Sequence, residues 1–218
     1  MTTYHIKLIA LVTMIIDHIG YFLVKDPELN IFFRTIGRLS APLFWYCFAV
    51  GFKHTRSVPN YIKRLILAIS ITEIGNIIIS LIKHKQYNLF DHNMFLTFLL
   101  SCGTLIAIIN IQKKKNIIIN IFLLIITIVL SLVVPGYKLL SLTTILFFYF
   151  IENKYIMYLL YLFNSILFCY MESNIIQLFM IFSLFIIMFD NHKKPEKSHK
   201  KLFYVAYPLH IWILQLLS

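Results

Sequence analysis

The longest polar interval in this sequence, residues 190–201, has no room for a folded domain, and on both sides of it one apolar run follows another. A helix needs about 20 apolar residues to cross the core of a bilayer. That length divides the chain into spans near 6–24, 31–52, 61–82, 93–111, 116–134, 138–151, 154–170, 174–189 and 202–217. The fold expected is all-α: a polytopic transmembrane bundle of about nine helices, in a range of eight to ten, forming one membrane domain over residues 1–218. The sixth span is short, so 135–170 could instead hold one irregular span and a re-entrant piece. Composition agrees with lipid as the solvent. Sixty per cent of the residues are apolar and 13% are charged, where a soluble domain carries roughly 25% charged residues.

The charge balance gives the bundle a direction. Lys and Arg number 20 against nine Asp and Glu, a net charge of +11. The basic residues cluster between apolar runs, which reads as topology determination rather than nucleic-acid binding. With a cytoplasmic N-terminus, fourteen of them fall at cytoplasmic ends, Lys7, Lys53, Arg56, Lys63, Arg64 and the runs at 113–115 and 193–201 among them. Six fall at outer ends: Lys25, Arg34, Arg38, Lys83, Lys85 and Lys138. The orientation expected is N-in and C-out. No small-x-small cleavage pattern follows the first apolar run, which therefore reads as a retained helix. Cys47, Cys102 and Cys169 lie far apart inside apolar runs, without metal-ligand spacing, and read as packing residues.

Ionisable groups inside a span cost about 2.5–3.5 kcal/mol each on insertion scales and mark function more often than packing. Asp17 and His18 lie past the middle of the first span. Arg34 and Arg38 open the second on one helical stripe, with Gly37 allowing close approach and Pro42 predicting a kink. Adjacent helical residues point about 100° apart, so Asp17 need not touch His18, and either arginine is a candidate partner for it. Glu73 and Asn76 share a stripe of the third span, and Glu73 alone would serve as a structural partner for an arginine. Asp91, His92 and Asn93 begin the fourth span, and Tyr207 and His210 flank Pro208 in the last. With alternating topology all of these drift to the outer side. No serine nucleophile elbow, zinc-protease helix, phosphate loop or dinucleotide fingerprint is present. Acid–base transfer at a buried histidine is the simplest chemistry such residues support, and the same cluster could line a transport path.

Several strings carry a resemblance. K-L-I-A-L-V-T-M-I-I-D-H-I-G from Lys7, R-T-I-G-R-L-S-A-P-L-F from Arg34 and V-G-F-K-H-T-R-S from Val50 resemble the first two helices and following loop of the TraX family of membrane acetyltransferases. Y-I-K-R-L from Tyr61, I-T-E-I from Ile71, N-M-F-L-T from Asn93 and L-F-Y-V-A-Y-P-L-H from Leu202 follow in the family's order. Ser40 stands where the family more often has alanine, and Gly75-Asn76 where a proline is expected. Residues 112–200 match by hydropathy alone.

The resemblance implies transfer of an acetyl group from cytoplasmic acetyl-CoA to an acceptor across a bacterial plasma membrane, a peptide N-terminus or a glycan hydroxyl or amine. It implies His18 as the catalytic base with Asp17 as its support. Arg34, Arg38 and Glu73 would shape the cavity and His210 would close it, with Tyr207 beside it. Arg34, Arg38 or Asn93 would serve the oxyanion. Lys53, His54, Arg56, Lys63 and Arg64, clustered at the cytoplasmic mouth, could hold the phosphates of CoA. The competing readings are a small transporter, disfavoured by the lack of an evident inverted repeat, and a structural or immunity protein without chemistry. The partners expected are lipid, the CoA thioester and the acceptor.

Overall fold

The computed structural model describes residues 1–84, 86–87, 89–90, 93–134, 138–191 and 200–218. Ten α-helices lie among these residues: α1 Thr3–Phe22, α2 Pro27–Gly37, α3 Ser40–Lys53, α4 Val58–Lys83, α5 Met94–Gln112, α6 Ile117–Val133, α7 Lys138–Phe150, α8 Lys154–Glu172, α9 Ser183–Met188 and α10 Lys200–Leu217. A 3-10 segment, Ile175–Phe182, leads into α9. Every expected span has a counterpart, and no strand occurs among the described residues. Four helices, α1, α4, α5 and α8, are long and apolar enough to cross a membrane. Lys85, Asp91, His92 and the basic run at 193–197 lie outside the described residues.

Helix starts follow short polar side chains that accept from otherwise unpaired N–H groups. Asp26 accepts from Leu29 N–H at 2.8 Å with Pro27 at the first helical position, and Ser57, Asn93 and Asn153 begin α4, α5 and α8 in the same way. The second expected span is two helices. The kink predicted for Pro42 appears one turn earlier, as a two-residue turn at 38 and 39. A proline here cannot donate to the carbonyl of Arg38, so the break falls where that bond would have been and Pro42 sits in the first turn of α3. In 135–170 the described residues form two separate helices, α7 and α8, rather than one irregular span.

Hydrophobicity on all sides of α3 makes it the central helix. Residues 42–49 and Phe52 are buried on it, against α1 on one side and α7 on the other. The outlying α6 has the reverse pattern. Its buried residues are Asn120, Thr127 and Ser131, while Ile118, Ile119, Phe122 and Val133 are exposed. In water such a helix would be inside out. In lipid it is the stable arrangement, because small polar residues pack and bond between helices while apolar ones meet acyl chains. The bonds are present: Thr104 Oγ1 donates to Thr127 Oγ1 at 3.0 Å, and Asn110 Nδ2 to Asn120 Oδ1 at 3.2 Å.

Two contacts fix how the ends of the chain meet. Tyr4 packs edge-on against Phe203 with centroids 6.3 Å apart, and His18 meets His210 further along the same two helices. Helices α1 and α10 therefore run parallel. The α1–α2 hairpin is drawn tight by two glycines. A Cβ at Gly20 would lie 2.7 Å from Phe33 Cβ, and one at Gly37 would collide with the side chain of Asp17. Gly37→Ala is expected to lower stability by about 1–3 kcal/mol, the usual cost of overpacking. Thermal melting in detergent, with Gly51→Ala as the control at an open position, checks this.

Candidate active site

The last turns of α1 carry Met14, Asp17, His18 and Tyr21, spaced i, i+3, i+4, i+7 on one face. That face forms one wall of a cavity of about 350 Å³. Arg34 and Arg38 form a second wall, Gln177 and Met180 of the 3-10 segment a third, and Tyr207 of α10 a fourth. Trp45, Thr97, Ser141 and Phe168 also line it, as does Glu172 at the end of α8.

Asp17 is clamped. Its Oδ2 accepts from Arg34 Nη1 at 2.8 Å and its Oδ1 from Arg38 Nη2 at 2.6 Å. The Arg34 guanidinium also lies over the Tyr21 ring, 5.2 Å from its centroid. Arg38 is held from three elements: Nη2 on Asp17, Nε on the Arg34 carbonyl at 3.1 Å, and Nη1 on Gln177 Oε1 at 3.4 Å. Asp17 alone faces two guanidiniums, and Glu172 on the same cavity, which acts electrostatically on Arg34, supplies the second negative charge. The arginines are thus the partners of Asp17. Both of its oxygens are engaged there, and the support expected of it for His18 is not made by a direct hydrogen bond among the described residues.

The partner of His18 is His210. His18 Nδ1 and His210 Nε2 are 2.7 Å apart, with ring planes 18° apart. A face-to-face stack cannot bring two ring nitrogens that close, so the rings lie edge to edge in nearly one plane, sharing a proton. Which ring donates follows from a third atom. His210 Nδ1 is 2.7 Å from the Ala206 carbonyl oxygen, and a carbonyl only accepts. His210 Nδ1 is therefore protonated, its Nε2 accepts from His18 Nδ1–H, and the basic lone pair of neutral His18 is on Nε2.

Glu73 and Asn93 are not on the cavity wall. Glu73 is 6% exposed and accepts from the Tyr87 hydroxyl, from Phe90 N–H at 3.0 Å and from Asn93 Nδ2 at 2.6 Å. Asn93 is fully buried, and its Oδ1 caps α5 through Leu96 N–H at 3.3 Å. The expected arginine partner of Glu73 is replaced by three neutral donors, and this carboxylate fastens the α4–α5 connection. Asn93 holds the same connection and is not placed to meet a substrate in the cavity. Tyr207 does both jobs: it lines the cavity while its hydroxyl accepts from Met94 N–H at 3.0 Å.

Lys53, His54, Arg56, Lys63 and Arg64 come together, all exposed, where α3 ends and α4 begins. Lys53 Nζ lies 5.3 Å from the Tyr149 ring centroid and Arg64 Cζ 5.5 Å from that of Tyr61. Fifteen residues of nearly helical chain separate Lys53 from Arg38, about 22 Å at 1.5 Å per residue. Between the two ends is an aromatic layer in which Phe48 stacks on Phe98 at 4.7 Å and Phe52 meets Tyr149 at 5.8 Å.

Sequence reasoning missed Glu172 and Gln177. Gln177 had a readable signal, an amide inside an apolar run, but it falls in the stretch where no motif could be matched.

A family model described as TraX protein matches residues 3–218 of the chain. No curated protein and no solved structure matches it. The family match covers nearly the whole chain, so the chain belongs to the TraX family, which fits a membrane acetyltransferase.

Proposed function

We propose that this TraX-family protein is a plasma-membrane acetyltransferase that takes the acetyl group of cytoplasmic acetyl-CoA and transfers it to an amine or hydroxyl entering from the opposite face. The observation that carries this reading is His18, bonded to His210 behind it, on the wall of a cavity that the Asp17–Arg34–Arg38 cluster also lines. A base held by a neighbouring ring, next to fixed positive charge, is what acyl transfer to a protonated nucleophile needs.

His18 Nε2 removes the proton as the acceptor nitrogen or oxygen attacks the thioester carbonyl. The carbonyl electron pair moves to oxygen, and the adjacent guanidiniums of Arg34 and Arg38 favour it there. Collapse of the tetrahedral intermediate breaks the carbon–sulfur bond, and the proton on His18 passes to the departing CoA thiolate. While His18 is protonated, its Nδ1–H remains bonded to His210 Nε2, which spreads the charge over two rings.

The donor enters from the other end. Five cationic or titratable side chains at the α3–α4 junction suit the several phosphate charges of CoA. The separation of about 22 Å between that junction and Arg38 suits a donor whose thioester hangs on a long flexible arm, which would pass the Phe48–Phe98 layer. The basic excess supports a cytoplasmic position for this junction and an N-in, C-out chain. The parallel course of α1 and α10 agrees with an odd number of crossings.

The test uses the purified protein in liposomes with radiolabelled acetyl-CoA and an extract of envelope peptides and glycans as acceptor. Acceptor-dependent release of CoA and labelled acceptor is expected. Replacing Lys53, Arg56, Lys63 and Arg64 together by glutamine should raise the KM for acetyl-CoA at least about tenfold, the equivalent of one charge-assisted hydrogen bond, with kcat unchanged. An unchanged KM would remove these residues from the donor site.

A further inference from the structure

The eight-residue 3-10 segment Ile175–Phe182 is long for its kind, since such runs rarely exceed three or four residues. It is firmly held. Asn174 Oδ1 accepts from Ile176 N–H at 3.0 Å, and the Tyr161 hydroxyl of α8 donates to the Met180 carbonyl at 2.7 Å. Side chains three apart eclipse in a 3-10 helix, so Gln177 and Met180 fall in line, and both line the cavity.

Across Ile175–Met188 the polar side chains are Gln177 and Ser183. Ser183 is accounted for by the Tyr161 hydroxyl, 2.9 Å away. Gln177 is half accounted for. It is 6% exposed, and its Oε1 accepts from Arg38 Nη1 at 3.4 Å. Its Nε2 has no hydrogen-bond partner among the described residues. Arg38 settles which way the amide faces, because the flipped amide would set its NH₂ donors against a guanidinium that only donates. Nε2 is thus on the side away from Arg38, on a residue of the cavity wall. Gln177 lines the cavity, so this donor is available to an acceptor atom of a ligand bound there.

We propose that Gln177 is a catalytic residue: its Nε2 donates to the thioester carbonyl oxygen and stabilises the oxyanion formed when the acceptor attacks. The proposal rests on the acetyltransferase reading. In that step the new bond from acceptor to carbonyl carbon forms, the carbonyl pair becomes the oxyanion received by Nε2–H, and the same pair returns as the carbon–sulfur bond breaks. The proton is taken up by His18 and passed from it to the departing thiolate, so Gln177 changes no charge. Arg38, donating to Oε1, polarises the amide and strengthens its N–H as a donor.

The role separates cleanly from that of merely holding Arg38. Gln177→Glu keeps an oxygen for Arg38 and deletes the Nε2 donor. Beside a guanidinium the new carboxylate stays ionised and repels an oxyanion. Acetyl transfer by Gln177→Glu is expected to fall about 100-fold in kcat, the usual loss for one oxyanion donor. The KM for acetyl-CoA should stay within about twofold, and the melting temperature in detergent at or above that of the unaltered chain. Gln177→Leu should lose kcat similarly, with a lower melting temperature. A Gln177→Glu protein with kcat within about threefold of the unaltered chain overturns the proposal and leaves Gln177 as a positioning residue for Arg38. An unaltered chain that turns over no acetyl-CoA overturns the transferase reading itself, so the two failures are distinguishable.

Discussion

Replacing His18 by alanine is expected to reduce acetyl transfer by about 10²–10⁴-fold, the range a positioned general base contributes, while leaving the amount of folded protein nearly unchanged. The structural loss is small. The bond to His210 disappears, and His210 Nε2 loses this donor, at about 1–3 kcal/mol if no water reaches it. His18 is half-buried on a cavity wall, so water can replace the missing N–H. His210→Ala makes the opposite change: the base remains, but its Nδ1–H loses the acceptor that holds the ring in one tautomer. Its activity should fall less than that of His18→Ala, and the acidic limb of its pH–rate profile should move, because the protonated ring no longer shares its charge. The measurement is initial rate of labelled acetyl transfer per mole of folded protein, across pH, for both variants. Near-normal rates in His18→Ala would end the assignment of this histidine as the base.

How far the sequence foretold this site depended on the kind of interaction. The spans were legible because lipid acts on each residue separately, and a run of about 20 apolar residues needs no partner to be recognised. The partners of Asp17 were legible for a related reason: charge inside a membrane requires opposite charge, and Arg34 and Arg38 were the cations on the right side. Glu73 followed the other course. Its partners are a backbone N–H of Phe90, a tyrosine hydroxyl and the amide of Asn93, and a backbone N–H carries no signal in the residue identity. The His18–His210 bond joins residues 192 positions apart. Each histidine stood out alone, but only the packing of α1 on α10 pairs them. Gln177 was hidden because an amide in an apolar run becomes conspicuous only when the 3-10 turn points it at a cavity that other helices form. The split of the second span into α2 and α3 was half legible, since Pro42 forecast a break but not its displacement by one turn.

Asp17→Ala is expected to destabilise the chain by about 3 kcal/mol, toward the lower end of the range for removing one partner of a buried ion pair. Both oxygens of Asp17 are bonded to guanidiniums, and the side chains are only 14–27% exposed, which screens the interaction in part and argues against the upper end. The loss is larger than for a single pair because two cations, four residues apart on α2 and its following turn, are then left facing each other. Asp17→Asn should lose nearly as much, since the amide keeps the shape but not the charge. A second substitution tells whether this is the mechanism. Adding Arg34→Met to Asp17→Ala removes one of the unpaired cations and should recover at least about 1 kcal/mol, a coupling of the size found within shared networks. Transfer activity per folded molecule is expected to fall only as the arginine cluster loosens. If Asp17 instead acted directly on His18, Asp17→Asn would cut kcat and shift the pH profile with no change in melting temperature. Melting curves in detergent for the two single variants and the double variant, read beside their specific activities, decide between a carboxylate that steers the base and one that holds the cations against which the base works.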